Sequence, residues 1–313
     1  MKSKFLKLNK ACSEQWDNMK PNEKGSFCDT CSKNVIDFTQ LSQLEISEKI
    51  KNTKGEICAR LTKQQLETPL IDLEIQKKYK LPYSNIAASI VLASTMAVST
   101  TSCAQNEKAP TEFVKTTNSN SKLNSKEKIS RPKATAPASF VTFKGIVKSE
   151  ENGILIANAK ITLVTVQKMF TAHSLEDGTF SMEIPAELID DDNVIRVSYD
   201  PVTTEDGKRN LRLYSTEDYI LSKKEVTSDY IIKAEAMVYI LGGIGHYTKK
   251  NPVVIQNNER VSYKDFVNAQ RGEKNSCNLE NKDFLYFEEK AAVAIYGKEA
   301  EAGLFILVDK TKK

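Results

Sequence analysis

The stretch Ile86-Ala-Ala-Ser-Ile-Val-Leu-Ala-Ser-Thr-Met-Ala-Val98 decides how the 313-residue chain is divided. It lies inside a longer run, Leu81 to Cys103, that carries no charged residue. Lys77, Lys78 and Lys80 precede the run, and a polar, proline-containing tract follows it. A helix needs about 20 largely apolar residues to cross a hydrocarbon core. The Ser and Thr residues count toward that length, because their hydroxyls can bond back to helix carbonyls. Pro82 stands where a helix can begin. The expectation is therefore one transmembrane helix over 81–103, with the N-terminus held on the cytoplasmic side by the lysines.

Two other readings of the same stretch stay open. Thr101-Ser102-Cys103 after an apolar core resembles a bacterial lipoprotein box, although Thr100 stands where a Leu is usual. A buried hairpin helix of a soluble domain is the other. The length of the chain predicts two or three domains. The net charge of +4 is modest and the basic residues are spread, so a nucleic-acid partner is not expected. Residues 1–10 (MKSKFLKLNK) hold four lysines and too few apolar residues for a signal peptide.

Residues 1–75 hold four of the six cysteines: Cys12, Cys28, Cys31 and Cys58. Cys28-Asp-Thr-Cys31 is a CxxC knuckle with one further thiol well before it and one well after. In a reducing cytosol such a set suits a tetrahedral metal better than two disulfides. The expectation is a structural Zn²⁺ held by Cys12, Cys28, Cys31 and Cys58, its charge offset by Lys24, Lys33 and Arg60. A small unit of this size gains from such a staple. A redox CxxC pair, an iron–sulfur cluster and unliganded buried thiols are the alternatives. Beyond the knuckle, Val35 to Phe38 reads as a strand, and Thr39 as the cap of a helix reaching about Lys51.

Cys12-x-Glu14-x-Trp16-x-x-Met19 followed by Gly25-x-Phe27-Cys28-x-x-Cys31-x-Lys33-x-Val35-x-Asp37-Phe38-Thr39 resembles a cysteine-containing head of envelope proteins in Bacteroidetes-type bacteria. That resemblance carries no established activity. Trp16 and Met19 read as packing residues. Residues 104–138, rich in Asn, Lys, Ser, Thr, Ala and Pro, read as a disordered linker.

Short alternating runs from residue 139 to 205 read as strands, with Asp177-Gly178 as a hairpin signal. Gly145-x-Val147, Ile156-x-x-Ala159-x-Ile161-x-Leu163 and Glu176-Asp177-Gly178-x-Phe180 resemble the carboxypeptidase regulatory-like domain. The resemblance implies a Greek-key β-sandwich used for binding or spacing, with no peptidase activity. His173 and Glu176 with His246 formally offer a zinc-peptidase set, but they read as exposed loop residues. Asp190-Asp191-Asp192 reads as a solvated turn rather than a Ca²⁺ site. Gly242-Gly243-Ile244-Gly245 reads as a turn and lacks the ending of a phosphate loop.

Residues 206–313 finish with Asn251–Ile255 as a strand, an Asn257-Asn258 turn, and a capping box Ser262-x-x-Asp265 opening a helix. Phe284–Glu288 reads as a strand, Ala291–Tyr296 as a helix closed by Gly297, and Leu304–Val308 as a last strand. The ending Ala291 to Val308, with Tyr296, Gly297 and Gly303, resembles the plug domain of TonB-dependent outer-membrane receptors. No barrel follows, so a transporter is not implied. Cys277 reads as a thiol in a polar loop.

The expected fold class is multidomain α+β: a cytosolic four-cysteine head, one inner-membrane helix, the linker, a periplasmic β-sandwich and a plug-like α+β domain. The expected function is non-enzymatic binding of a periplasmic protein partner. A transmembrane metal or redox sensor acting through the four-cysteine head is the alternative.

Overall fold

The computed structural model describes residues 2–23, 25–71, 139–203, 210–273 and 277–310. The candidate span 81–103, the linker 104–138, Cys103 and the lysines at 77, 78 and 80 lie outside the described residues. Strands dominate. The N-terminal part runs β1 (Ser3–Ala11), β2 (Lys20–Asn22), β3 (Gly25–Cys28), β4 (Lys33–Asp37), α1 (Gln43–Asn52), β5 (Ile57–Thr62) and α2 (Lys63–Glu67). The middle part holds β6 (Phe140–Ser149), β7 (Lys160–Val164), β8 (Met169–His173), β9 (Thr179–Pro185) and β10 (Asp192–Ser198). It continues with β11 (Val202–Thr203), β12 (Asn210–Leu211), β13 (Glu217–Ser222), α3 (Lys223–Val226), β14 (Asp229–Ala234) and β15 (Tyr239–Lys249). The last part comprises β16 (Val253–Gln256), β17 (Glu259–Val261), α4 (Tyr263–Gln270), β18 (Lys282–Phe287), α5 (Glu289–Tyr296) and β19 (Leu304–Asp309).

The N-terminal residues do not close a sheet by themselves. Their six-stranded sheet has the order β1-β15-β5-β4-β3-β2, so a strand from far along the chain lies between β1 and β5. β15 pairs antiparallel with β1 from Ser3↔Lys249 to Ala11↔Gly242, and with β5 from Tyr239↔Thr62 to Ile244↔Ile57. The run Gly242-Gly243-Ile244-Gly245 is therefore strand interior and not a turn. A Cβ at Gly242 would lie 2.2 Å from the Lys10 carbonyl oxygen, so the absent side chain is what lets the two backbones approach. β1 buries Phe5 and Leu6 on opposite faces. Phe5 stacks on Tyr247 with ring centroids 5.6 Å apart, and Leu6 packs with Phe38, Ile46, Ala59 and Leu61. β1 also carries Lys4, Lys7 and Lys10 on the outer edge of the sheet, which discourages further strand pairing.

This sheet corrects the expected architecture. Residues on either side of the candidate span belong to one set of paired strands, and residues 1–74 with 137–313 form one compact unit. A single crossing between them would tear β15 from both its neighbours. The fold is predominantly β, with several sheets and, among the described residues, five short helices. The longest, α1, has ten residues, about 15 Å against a hydrocarbon core of about 30 Å. No described helix is long and apolar enough to cross a membrane.

Two further sheets form a sandwich with other bounds than 139–205. A four-stranded sheet β13-β10-β7-β8 faces a three-stranded sheet β14-β6-β9 across a core that includes Phe143, Val147, Ile161, Leu163, Ile184, Ile195 and Ile232. Its last strands, β13 and β14, extend it to residue 234. The Asp177-Gly178 turn exists, with Gly178 at φ 73°. It carries the chain from β8 in one sheet to β9 in the other, so it is not a hairpin between paired strands.

The final sheet has the order β17-β16-β19-β18, with β16 and β19 parallel. Both central strands are buried on both faces, which explains their unbroken apolar runs. Phe305 and Leu307 meet Phe266 and Val267 of α4 on one side. Leu304 and Ile306 meet Ala291 and Ala292 of α5 on the other, together with Val164 and Val194 of the sandwich. Cys277 lies in the segment between α4 and β18, as expected, and is buried against the α4 cluster.

Candidate functional site

Two places gather chemistry-bearing side chains. The first is the cysteine end of the six-stranded sheet. Cys28 closes β3 and pairs with Lys33 at the head of β4, so the CxxC residues form the loop of a hairpin. Ser32 completes that loop at φ 52°. Cys58 lies in β5, opposite Val35 on one side and Gly243 on the other. Cys12 follows β1 and donates its N–H to the Leu241 carbonyl at 2.9 Å. Met19, Cys28 and Val35 are buried together against Trp16, Cys58 and Leu241, which gives Trp16 and Met19 the packing role read from sequence. Glu14 pins the hairpin loop, accepting from the Thr30 hydroxyl at 2.7 Å.

The thiols are tuned in opposite directions. Backbone N–H groups of Cys31 and Thr30, with the Cys31 thiol, hydrogen-bond the Cys28 sulfur and hold its pKa below the ordinary thiol value. Desolvation and the hydrogen bond to Cys28 push the Cys31 thiol up. Desolvation, then the charges of Cys31 and Cys12, raise Cys58. The four cysteines are thus brought to one end of a sheet.

They do not form the expected metal centre. Among the described residues no group of three or more His, Cys, Asp or Glu side chains is placed to hold a metal ion. Cys28 is buried and Cys31 exposed. Two of the offsetting cations have other partners as well, and Lys24 lies outside the described residues. Lys33 pairs with Glu56 at 2.8 Å, and Arg60 lies over the rings of Tyr239 and Trp16 at 4.0 and 4.9 Å. No three of these thiols are grouped around one point as a bound ion requires, and the zinc-binding expectation is corrected on that ground alone.

The second place is a cleft of about 640 Å³ with walls from all three parts. The N-terminal part contributes Lys63 and Glu67 of α2. The sandwich contributes Arg196, Glu217, Asp218 and Glu235. β15 contributes Lys249, and the C-terminal part contributes Tyr286, Glu288, Glu289 and Lys290. Arg196 is the joint. Its Nε and Nη2 donate to the two Asp218 oxygens at 2.7 Å each, and Nη2 donates also to the Tyr286 carbonyl. Its guanidinium lies 3.8 Å from the Phe287 ring centroid.

Ion pairs consume most of the cations: Arg196 with Asp218, Lys249 with Glu289 at 3.0 Å, and Lys63 with Glu67 at 4.0 Å. Glu217, Glu235 and Glu288 have no ion-pair partner among the described residues. Desolvation and a hydrogen bond with Glu235 push Glu217 up to about 7. Desolvation and the charge of Glu67 push Glu288 up to about 7. No local spacing marks these carboxylates in the sequence, because they come from separate elements that only the fold assembles.

The remaining sequence candidates stay apart. His173 ends β8 in the sandwich and His246 lies in β15 of another sheet, so no peptidase set forms. Asp190, Asp191 and Asp192 line a shallow surface depression and are not grouped around a cation site. Set against protein-family models, curated proteins and solved structures, the chain matches none.

Proposed function

We propose that this chain is a non-enzymatic binding protein of the bacterial envelope, and that the three-walled cleft receives a positively charged segment of a partner protein. One observation carries the reading: a cavity within the usual range for ligand sites lies where three parts of the fold meet. Its carboxylates outnumber its cations, leaving Glu217, Glu235 and Glu288 without ion-pair partners among the described residues. The resemblance of the N-terminal residues to envelope proteins supports the setting. A Lys or Arg side chain would supply the cations the cleft lacks, and rim charges would steer its approach.

The proposal makes pH act in opposite senses on the free and loaded protein. Glu217 and Glu288 titrate near 7 in the folded chain and near 4.5 unfolded. Their contribution to free-protein stability is therefore fully present below about 4.5 and lost as pH rises through about 7. Binding of a cation needs the ionised forms and strengthens over the same interval. Calorimetric titration of the full chain with hexalysine is expected to give tighter binding at pH 8 than at pH 5.5. Glu217→Gln with Glu288→Gln is expected to weaken binding at pH 8 about tenfold, or ~1.4 kcal/mol. Equal affinity for hexaglutamate, or no change in the double variant, would refute the reading.

A further inference from the structure

We propose that Cys28 and Cys31 form a redox-active dithiol in which Cys31, the C-terminal member, is the entry point for an incoming low-molecular-weight disulfide. This goes beyond the binding reading and uses a different part of the molecule. The two thiols stand three residues apart in one short loop, closed by the Cys28–Lys33 pairing of β3 and β4. Exposure separates them: Cys31 is open to solvent, whereas Cys28 is 1% exposed and packed with Met19 and Val35. An approaching disulfide can reach only the outer sulfur. The loop is held for this purpose by the Glu14–Thr30 hydrogen bond and by the Cys28–Lys33 pairing.

The chemistry balances with that co-reactant alone. Cys31 gives its proton to solvent, and its sulfur attacks RS–SR, forming a mixed disulfide and releasing one RS⁻ that is protonated to RSH. Cys28 gives its proton to solvent, and its sulfur, in the same loop, then attacks the Cys31 sulfur. The Cys28–Cys31 bond forms and the second RS⁻ leaves to become RSH. Two protein thiols are oxidised by two electrons and one disulfide is reduced to two thiols.

The test uses the full chain, reduced, desalted and treated with glutathione disulfide, with sites assigned by peptide mass mapping. Wild type is expected to form the Cys28–Cys31 bridge, with a change in emission from Trp16, the chain's one tryptophan, which packs beside Cys28. Cys28→Ser is expected to trap a glutathione adduct on Cys31. Cys31→Ser is expected to react at Cys28 at least about tenfold more slowly, because a buried sulfur lacks access. Alkylation mapping of unmodified wild type does not depend on either variant folding, and it is expected to label Cys31 before Cys28. The proposal is overturned if Cys28 is labelled first, if either thiol bridges instead to Cys12 or Cys58, or if one equivalent of bound metal keeps both thiols silent.

Discussion

Residues 1–75 expressed without the rest of the chain are expected to lose cooperative unfolding. Their sheet is completed by β15, which pairs along nearly the whole of β1 and with all of β5. Without it, β1 keeps only the short bridge between Lys4 and Leu70. Phe5 loses its stacking partner Tyr247, and the backbone groups that β1 and β5 turn toward β15 lose their hydrogen bonds. The loss is costly, since each backbone hydrogen bond contributes about 0.5–1.5 kcal/mol net and many are lost together. A peptide covering residues 236–252, added to the fragment, is expected to restore a cooperative transition by strand addition. A fragment that melts sharply by itself would show that the N-terminal strands close without β15.

The second large effect is at Arg196. Replacing it with Ala leaves the Asp218 carboxylate, one-fifth exposed, without its cation, and removes a donor from the Tyr286 carbonyl. Breaking one side of a largely buried pair costs about 3–5 kcal/mol, mainly because the remaining charge stays desolvated. The melting temperature of the full chain is expected to fall by roughly 10 °C. Arg196→Met combined with Asp218→Leu is expected to lose clearly less, since no buried charge is orphaned. A drop of under about 0.5 kcal/mol for Arg196→Ala, the range of ordinary surface changes, would remove Arg196 as the joint between sandwich and C-terminal sheet.

Local chemistry is legible in the sequence wherever a short-range rule decides it. Asn257 and Asn258 both adopt positive φ, at 51° and 66°, as a two-residue hairpin turn requires. Gly297 ends α5 at φ 89°. Capping shows where such rules turn on one atom. The helix expected after Thr39 begins instead after Ser42, whose side chain and Glu45 make a complete box. Thr39 is occupied by Asp37, which accepts from its N–H and hydroxyl. Ser262-x-x-Asp265 has the spacing of a box too, yet the Ser262 side chain makes no cap hydrogen bond. Aspartate is one methylene shorter than the glutamate or glutamine the box uses.

Long-range pairing is not legible in the same way. Tyr239-Ile-Leu and His246-Tyr-Thr have strand character, but the glycines between them signal a break. What makes Gly242 suitable is the Lys10 carbonyl lying against it, a neighbour supplied by folding. The apolar run at 86–98 draws the division of the chain to itself, and the pairing of β15 cuts across that division. The cysteines are legible as a group, since all four converge on one end of the sheet. Their differing exposure is not, because it depends on which neighbours folding packs over each sulfur.

The central claim is that β15 sits between β1 and β5. Cross-strand nuclear Overhauser contacts in the isotope-labelled full chain test it most directly. Backbone protons of Lys4 and Leu6 are expected to contact those of Thr248 and His246, while Leu241 and Gly243 contact Arg60 and Cys58. Direct contacts between β1 and β5, with none from either to residues 239–249, would contradict the account and return the two ends of the chain to separate folding units.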